Sequence, residues 1–188
     1  MHMTESASPQ RPKVNLPRDA DQTRKRILAA ATVEFARKGL GGARVDEIAL
    51  RSKSNKRMIY HYFGSKERLF TAVIENAYLG IRIAEQNLHL DEMEPEEAIA
   101  TLVRFTWKYY LNHPELLTLV NSANLHRARH LEGSARAREL NTPLIQTLGE
   151  VLERGRTTGV FRGGIDPMQL YISIAGLCYF YLGNSHTL

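Results

Sequence analysis

The sequence predicts an all-α chain made of a small three-helix head and a longer helical body. Three observations carry this. Apolar residues recur at helical spacing along most of the chain, and no strand-like alternation runs longer than a few residues. Capping residues and glycine stops punctuate that pattern at intervals that suit helices. The charge also divides by position: residues 1–68 carry a net of +8 and residues 69–188 a net of −3, within a total of +5. A basic amino-terminal third on an acidic remainder marks one end for a polyanion.

Residues 1–18 contain Pro9, Pro12 and Pro17, lack periodicity and read as a flexible basic arm. The first helix is expected from Asp21 to Lys38. Asp19 or Asp21 caps it, Ile27, Ala31 and Phe35 form its apolar stripe, and Gly39 stops it in the left-handed conformation. A short helix follows over about 44–52 with Val45, Ile48 and Ala49 inward, and Asn55 caps a third that ends near Phe63-Gly64. Ile27, Phe35, Val45, Ile48, Ile59 and Phe63 make the head's core. Ser65 caps a long helix over about 66–87. Pro95 opens one to Asn112, Pro114 one to about Asn124, and residues 126–134 read as loop. A helix over about 135–156 should kink or break at Pro143, and Asp166-Pro167 open a last apolar helix to about Gly183.

Composition closes several routes. The single cysteine, Cys178, has no internal partner, fits a reducing cytosol and reads as a small core residue. Residues 1–6 lack the apolar region of a signal peptide, and the longest apolar stretch, Leu170 to Leu182, is interrupted by Ser173 and Gly176. There is no phosphate-cradling glycine loop, zinc-protease dyad or nucleophile elbow, so no enzyme is expected. Glu92, Glu94, Glu96 and Glu97 cluster at a helix start, where carboxylates favour the dipole.

Two short helices around a tight turn, over residues 44–63, have the layout of a helix-turn-helix unit. On a wheel of the second, Ile59 and Phe63 point to the core, while Arg57 and His61 point nearly opposite, flanked by Met58 and Tyr60. A helix lying in a major groove uses such a face: donors for guanine edges and phosphates, and apolar atoms for thymine methyls. Lys56 sits in the first turn, where the helix dipole already favours an anion.

These segments resemble the TetR-type transcriptional regulators. The matching residues are Thr23 through Ala31, Phe35 with Gly39, Val45 with Ile48-Ala49, and the specific run Ile59-Tyr60-His61-Tyr62-Phe63-Gly64-Ser65-Lys66-Glu67-Arg68-Leu69. The resemblance covers about residues 20–75. It implies a homeodomain-like DNA-binding domain over 19–65 and an effector-binding and dimerisation domain over 66–188. It implies that Lys56, Arg57, Met58 and His61 face bases or nearby backbone, and that Tyr60, Tyr62 and Lys66 hold phosphates. Arg44 and Val45 would touch the same phosphates, and Asn55, the cap, is counted with them. A homodimer on a palindromic operator, with recognition helices about 34–36 Å apart, would then be released by a small-molecule effector in the cytoplasm. The family usually has glycine at Lys53, an apolar residue at Ser54 and a small residue at Arg57; a left-handed Lys53 would carry strain.

The body is rich in amphipathic side chains, and Trp107, Tyr110, Asn121 and Asn124 are the first candidates for a cavity lining. A solvent-sized cavity beside Trp107 and Tyr110 favours a sensor; a filled core favours a pure dimerisation scaffold. An all-α enzyme or lipid-surface protein is the remote alternative. His126 and His130, with Glu132 and His113, have metal-pair spacing, but Arg127 and Arg129 disfavour a cation, and neither metal nor cofactor is expected. No clear successor follows the last helix before Leu188, so the chain is short or lacks a further dimerisation helix.

Overall fold

A computed structural model describes residues 17–125, 142–185 and 187–188. It is helical throughout, with α1 (Pro17–Gly42), α2 (Val45–Arg51), α3 (Lys56–Phe63) and α4 (Lys66–Gln86) followed by a 3-10 turn (Leu90–Glu92). Then come α5 (Pro95–Asn112), α6 (Pro114–Leu125), α7 (Thr142–Thr157) and α8 (Pro167–Gly183). The two local signals read most directly from the sequence hold at atomic detail. Asn55 accepts from the Met58 N–H at 2.9 Å and Ser65 from the Arg68 N–H at 3.2 Å, each satisfying an orphan donor of the first turn.

The first helix departs from expectation at both ends. It starts at Pro17, inside the segment read as an arm, because proline suits a first turn and Asp19 adds a favourable charge there. Gly39 does take a positive φ, with φ 64° and ψ 178°. It produces a kink and not a stop, and helix resumes to Gly42, tied by Ala43 N–H to Gly39 O at 3.1 Å. Pro143 lies in the first turn of α7, where it costs no internal hydrogen bond. Residues 126–141, including the loop, the start of that helix as expected, and His126, His130 and Glu132, lie outside the described residues.

The six residues assigned to the head's core are all buried, but that core is larger than the head. It continues through Leu69, Phe70, Val73 and Ile74 of α4 into Leu119 and Ala123 of α6. Phe35 meets Phe70 edge to face at 5.1 Å. The most extensive interhelical contact is α1 against α6. Here the Ser122 hydroxyl accepts the Leu40 N–H at 3.3 Å, and a Cβ on Gly39 would stand 3.4 Å from the same oxygen. In the body, α5, α7 and α8 pack on one another around Leu102, Leu148 and Ile174. Arg154 fastens α7 to the 3-10 turn by donating to the carbonyls of Asp91 and Met93.

Candidate nucleic-acid interface

The outward face of α3 follows from its inward one. Ile59 and Phe63 are buried, so helical geometry turns Lys56, Arg57, Tyr60 and His61 to solvent and leaves Met58 and Tyr62 half-buried on the flanks. Tyr62 packs against the head's core and meets His61 edge to face at 5.5 Å. Arg24 of α1 lies over the Phe63 ring, 5.4 Å from its centroid, which adds a cation beside the end of α3. Gly64, with φ 80°, ends α3 and lets Ser65 start α4 at once. Lys66 then reaches across to the carbonyl of Gly41 at 3.4 Å, placing its ammonium between the α1–α2 turn and the first turn of α4.

Between α2 and α3, Asp46 gathers two of the cations. It pairs with Lys56 at 2.6 Å and more distantly with Arg44 at 4.0 Å. These are exposed groups, so the pairs hold side chains in place without adding much stability. Val45 faces inward, as its spacing with Ile48 and Ala49 predicts. Its side chain is buried with Ile48 and Ala49, so only its backbone is available to a phosphate. Lys53 has φ 52°, the left-handed conformation anticipated in the turn.

Glu34 went unnoticed in the sequence. Its side chain is 3% exposed, pairs with Lys38 at 2.8 Å and accepts the Arg44 N–H at 3.1 Å. Burial alone would raise its carboxyl, but the hydrogen bonds from Lys38 and the Arg44 N–H, with the Lys38 and Arg51 charges, hold it below its ordinary value. Arg44 has no side-chain cap of its own, so Glu34 fixes the entry to α2.

Residues 27–73 match the family model described as bacterial regulatory proteins, tetR family, and residues 95–188 match the tetracyclin repressor-like C-terminal domain. The chain is 44% identical over 169 residues to the HTH-type transcriptional repressor NicS of Pseudomonas putida, covering 90% of this chain and 80% of that one.

The chain belongs to the TetR family.

It is a DNA-binding transcriptional regulator with the all-α, helix-turn-helix architecture of that family. Among solved structures, SCO4942 from Streptomyces coelicolor, a transcriptional regulator, superposes with a TM-score of 0.67 at 26% identity, over 87% of this chain and 82% of that one. FadR from Bacillus subtilis, solved in complex with stearoyl-CoA, gives a TM-score of 0.69 at 19% identity, over 87% and 89%. The latter likeness concerns the fold alone.

The body of this TetR-family chain holds a cavity of about 450 Å³ between α4, α5, α6 and α8. Tyr110 and Asn124 line it as expected; Trp107 and Asn121 do not. Trp107 packs on Tyr181 with centroids 5.4 Å apart, and Asn121 is exposed because α6 turns Leu117, Val120 and Asn124 to the cavity. The chief omission is Arg82. It is 5% exposed, donates to Glu85 and to the Tyr171 hydroxyl at 2.5 Å each, and lies over the Tyr171 ring at 5.1 Å. Its signal was weak, since an arginine in a long helix ordinarily faces water. Burial pushes the phenols of Tyr78, Tyr171 and Tyr179 upward. His113, at 3.1 Å from Glu115, stacks on Tyr109 at 4.2 Å. Among the described residues no group of three or more His, Cys, Asp or Glu is placed to hold a metal.

Proposed function

We propose that the chain is a homodimeric repressor that leaves a palindromic operator when a small molecule occupies the cavity of its body. The observation that carries this reading is the position of α4. Its first residue, Lys66, stands at the DNA-facing end, its middle residues Phe70 and Ile74 are in the head's core, and Tyr78, Ile81 and Arg82 line the cavity. α6 makes a second connection, with Leu117 and Val120 toward the cavity and Leu119, Ser122 and Ala123 toward α1. A ligand that fits one arrangement of these helices better than another shifts the population, and with it the spacing of two heads.

The dimer half of the proposal rests on α8. Met168, Ile172, Leu177, Phe180 and Tyr181 form an exposed apolar stripe, with Leu177 75% and Phe180 60% exposed. Large contiguous patches of this kind mark association surfaces. Ile172 also lines the cavity, so a partner seated on α8 would lie beside its mouth. Residues 19–65 would then be the DNA-reading unit and 66–188 the sensing and pairing unit. No described helix is long and apolar enough to cross a membrane. The ligand-free form would meet its operator in the cytoplasm, with no catalytic step.

Solvent-sized space beside Tyr110 favours this sensor over a pure dimerisation scaffold. Footprinting on genomic fragments, with and without a pool of small metabolites, tests it: a symmetric protected site that one metabolite abolishes is expected. Val120→Trp, which fills the cavity from α6, should bind the same site and ignore the metabolite. A variant released as readily as the parent would reject the cavity as the effector site. Leu177→Glu should yield monomers in sedimentation if α8 is the dimer face.

A further inference from the structure

Among the described residues that line the cavity one side chain is charged, and its surroundings define the chemistry of what enters. Arg82 is the sole ionisable cation or carboxylate among the lining residues; the others are apolar or carry a phenol or an amide. Two of its guanidinium nitrogens are occupied, Nη1 by Glu85 and Nη2 by the Tyr171 hydroxyl. Its Nε has no hydrogen-bond partner among the described residues, and neither has Oε1 of Glu85, although both are buried. Arg82 also lines a second, smaller cavity of about 150 Å³, and Glu85 lines that one but not the first. The guanidinium is therefore a partition, with the ligand-sized chamber on one side and the carboxylate on the other.

We propose, building on the reading of this cavity as the effector site, that it takes a small organic acid as its anion on Arg82, and that Glu85 takes up a proton as the acid binds. A cation would face the guanidinium without a counter-charge among the described lining residues, and a neutral molecule would offer it only a weak acceptor. An anion gives the Arg82 guanidinium a charge-assisted partner on the chamber side, while the apolar walls of Ile81, Leu117 and Val120 receive the organic body. Two anions on one buried cation leave a net negative charge beside the buried Arg82 and Glu85, which protonation of Glu85 removes.

The groups around Glu85 make that protonation accessible. Arg82 faces it from α4, Tyr171 from α8, and Tyr109 and Tyr110 from α5. Asp91 of the 3-10 turn and Glu150 of α7 share the smaller cavity with it. Arg82 is the one cation in this set. Burial outweighs it and pushes the Glu85 carboxyl up to about 7, so the carboxylate is already close to accepting a proton near neutrality. An anion arriving on Arg82 weakens the hold that Arg82 keeps on Glu85 and raises that carboxyl further.

The probes are 2-naphthoate, its neutral amide 2-naphthamide, and 2-naphthylmethylamine, which share one apolar body and differ in charge. Calorimetric titration of the intact protein in PIPES and in Tris, at several pH values, reads affinity and proton uptake together. Naphthoate stays ionised throughout, because carboxylic acids titrate near pH 4. The acid should bind at least roughly tenfold more tightly than the amide, and the amine not measurably. Uptake should approach about one proton per naphthoate above pH 7 and fall toward zero below about pH 6, where Glu85 is already protonated. Glu85→Gln should keep naphthoate binding and lose both the uptake and the pH dependence. Arg82→Met, checked for folding by its melt, should bind acid and amide alike. Equal binding of acid and amide by the parent protein overturns the anion assignment while leaving the cavity reading intact. Naphthoate binding with no proton uptake overturns the role of Glu85, and binding of none of the three overturns the inference. The cavity reading itself is decided separately by Val120→Trp and operator release.

Discussion

Replacing Arg57 by alanine separates base reading from phosphate attraction. Arg57 is exposed on the outward side of α3 and has no ion-pair or hydrogen-bond partner among the described residues, whereas neighbouring Lys56 is held by Asp46 at 2.6 Å. Its removal should change folding stability by no more than about 0.5 kcal/mol, since an exposed, unpaired side chain is lost. One bidentate arginine contact to a guanine edge discriminates by about 1–3 kcal/mol. Two recognition helices on a symmetric site double this to about 2–6 kcal/mol, roughly 30-fold to 20,000-fold in operator affinity. Fluorescence anisotropy with an operator fragment selected from random duplexes, and with a shuffled control, measures both affinities across a salt series. Arg57→Ala should weaken the operator strongly, leave the shuffled duplex little changed, and preserve the salt slope. Lys66→Gln, losing one phosphate contact per protomer, should instead weaken both duplexes alike and reduce the slope by about 1.8. Equal weakening of both duplexes by Arg57→Ala, with a shallower slope, would show that Arg57 holds phosphate and that α3 reads bases through other side chains.

Other expectations concern stability. Glu34→Ala leaves the Arg44 N–H without its acceptor and should cost about 1–3 kcal/mol in chemical denaturation. Because the folded Glu34 carboxyl lies below its ordinary 4.5, its stabilising contribution is present above that value and lost as pH falls through the folded value. The parent should therefore lose more stability in acid than Glu34→Gln, as compared by melts at falling pH. Lys53→Gly relieves a left-handed residue in the α2–α3 turn and should raise stability by about 0.5–1 kcal/mol, visible as a higher melting temperature. Gly155→Ala places a Cβ 2.1 Å from Cδ2 of Phe161, whose N–H is tied to the Gly155 carbonyl at 3.0 Å. Overpacking of about 1–3 kcal/mol should outweigh the roughly 1 kcal/mol gained in helix propensity, lowering the midpoint of urea unfolding.

The head was legible because its determinants are local. The Asn55 and Ser65 caps, the inward pair Ile59 and Phe63, and the left-handed Gly39 and Lys53 all act within a turn or two of themselves. Periodicity that buries one side of an eight-residue helix necessarily exposes the other, so the cationic and aromatic face of α3 followed. Val45 fits the same pattern, buried with Ile48 and Ala49 at the i, i+3, i+4 spacing of a short helix.

The sequence by itself determined the fold class, the boundaries of most helices, the separation of charge and the outward face of α3. Only the tertiary structure decided what the body holds. Arg82 and Tyr171 are 89 residues apart and meet at 2.5 Å, and Glu34 reaches Arg44 across the α1 kink. It also decided that α6 shares the head's core, so the two halves divided by charge are not divided by packing. The physical reason is the same in each case. Caps and helical faces are fixed by neighbours three or four positions away, but a buried ion pair, a cavity wall and a shared core are fixed by which helices come together, and periodicity along one helix carries no record of its partner.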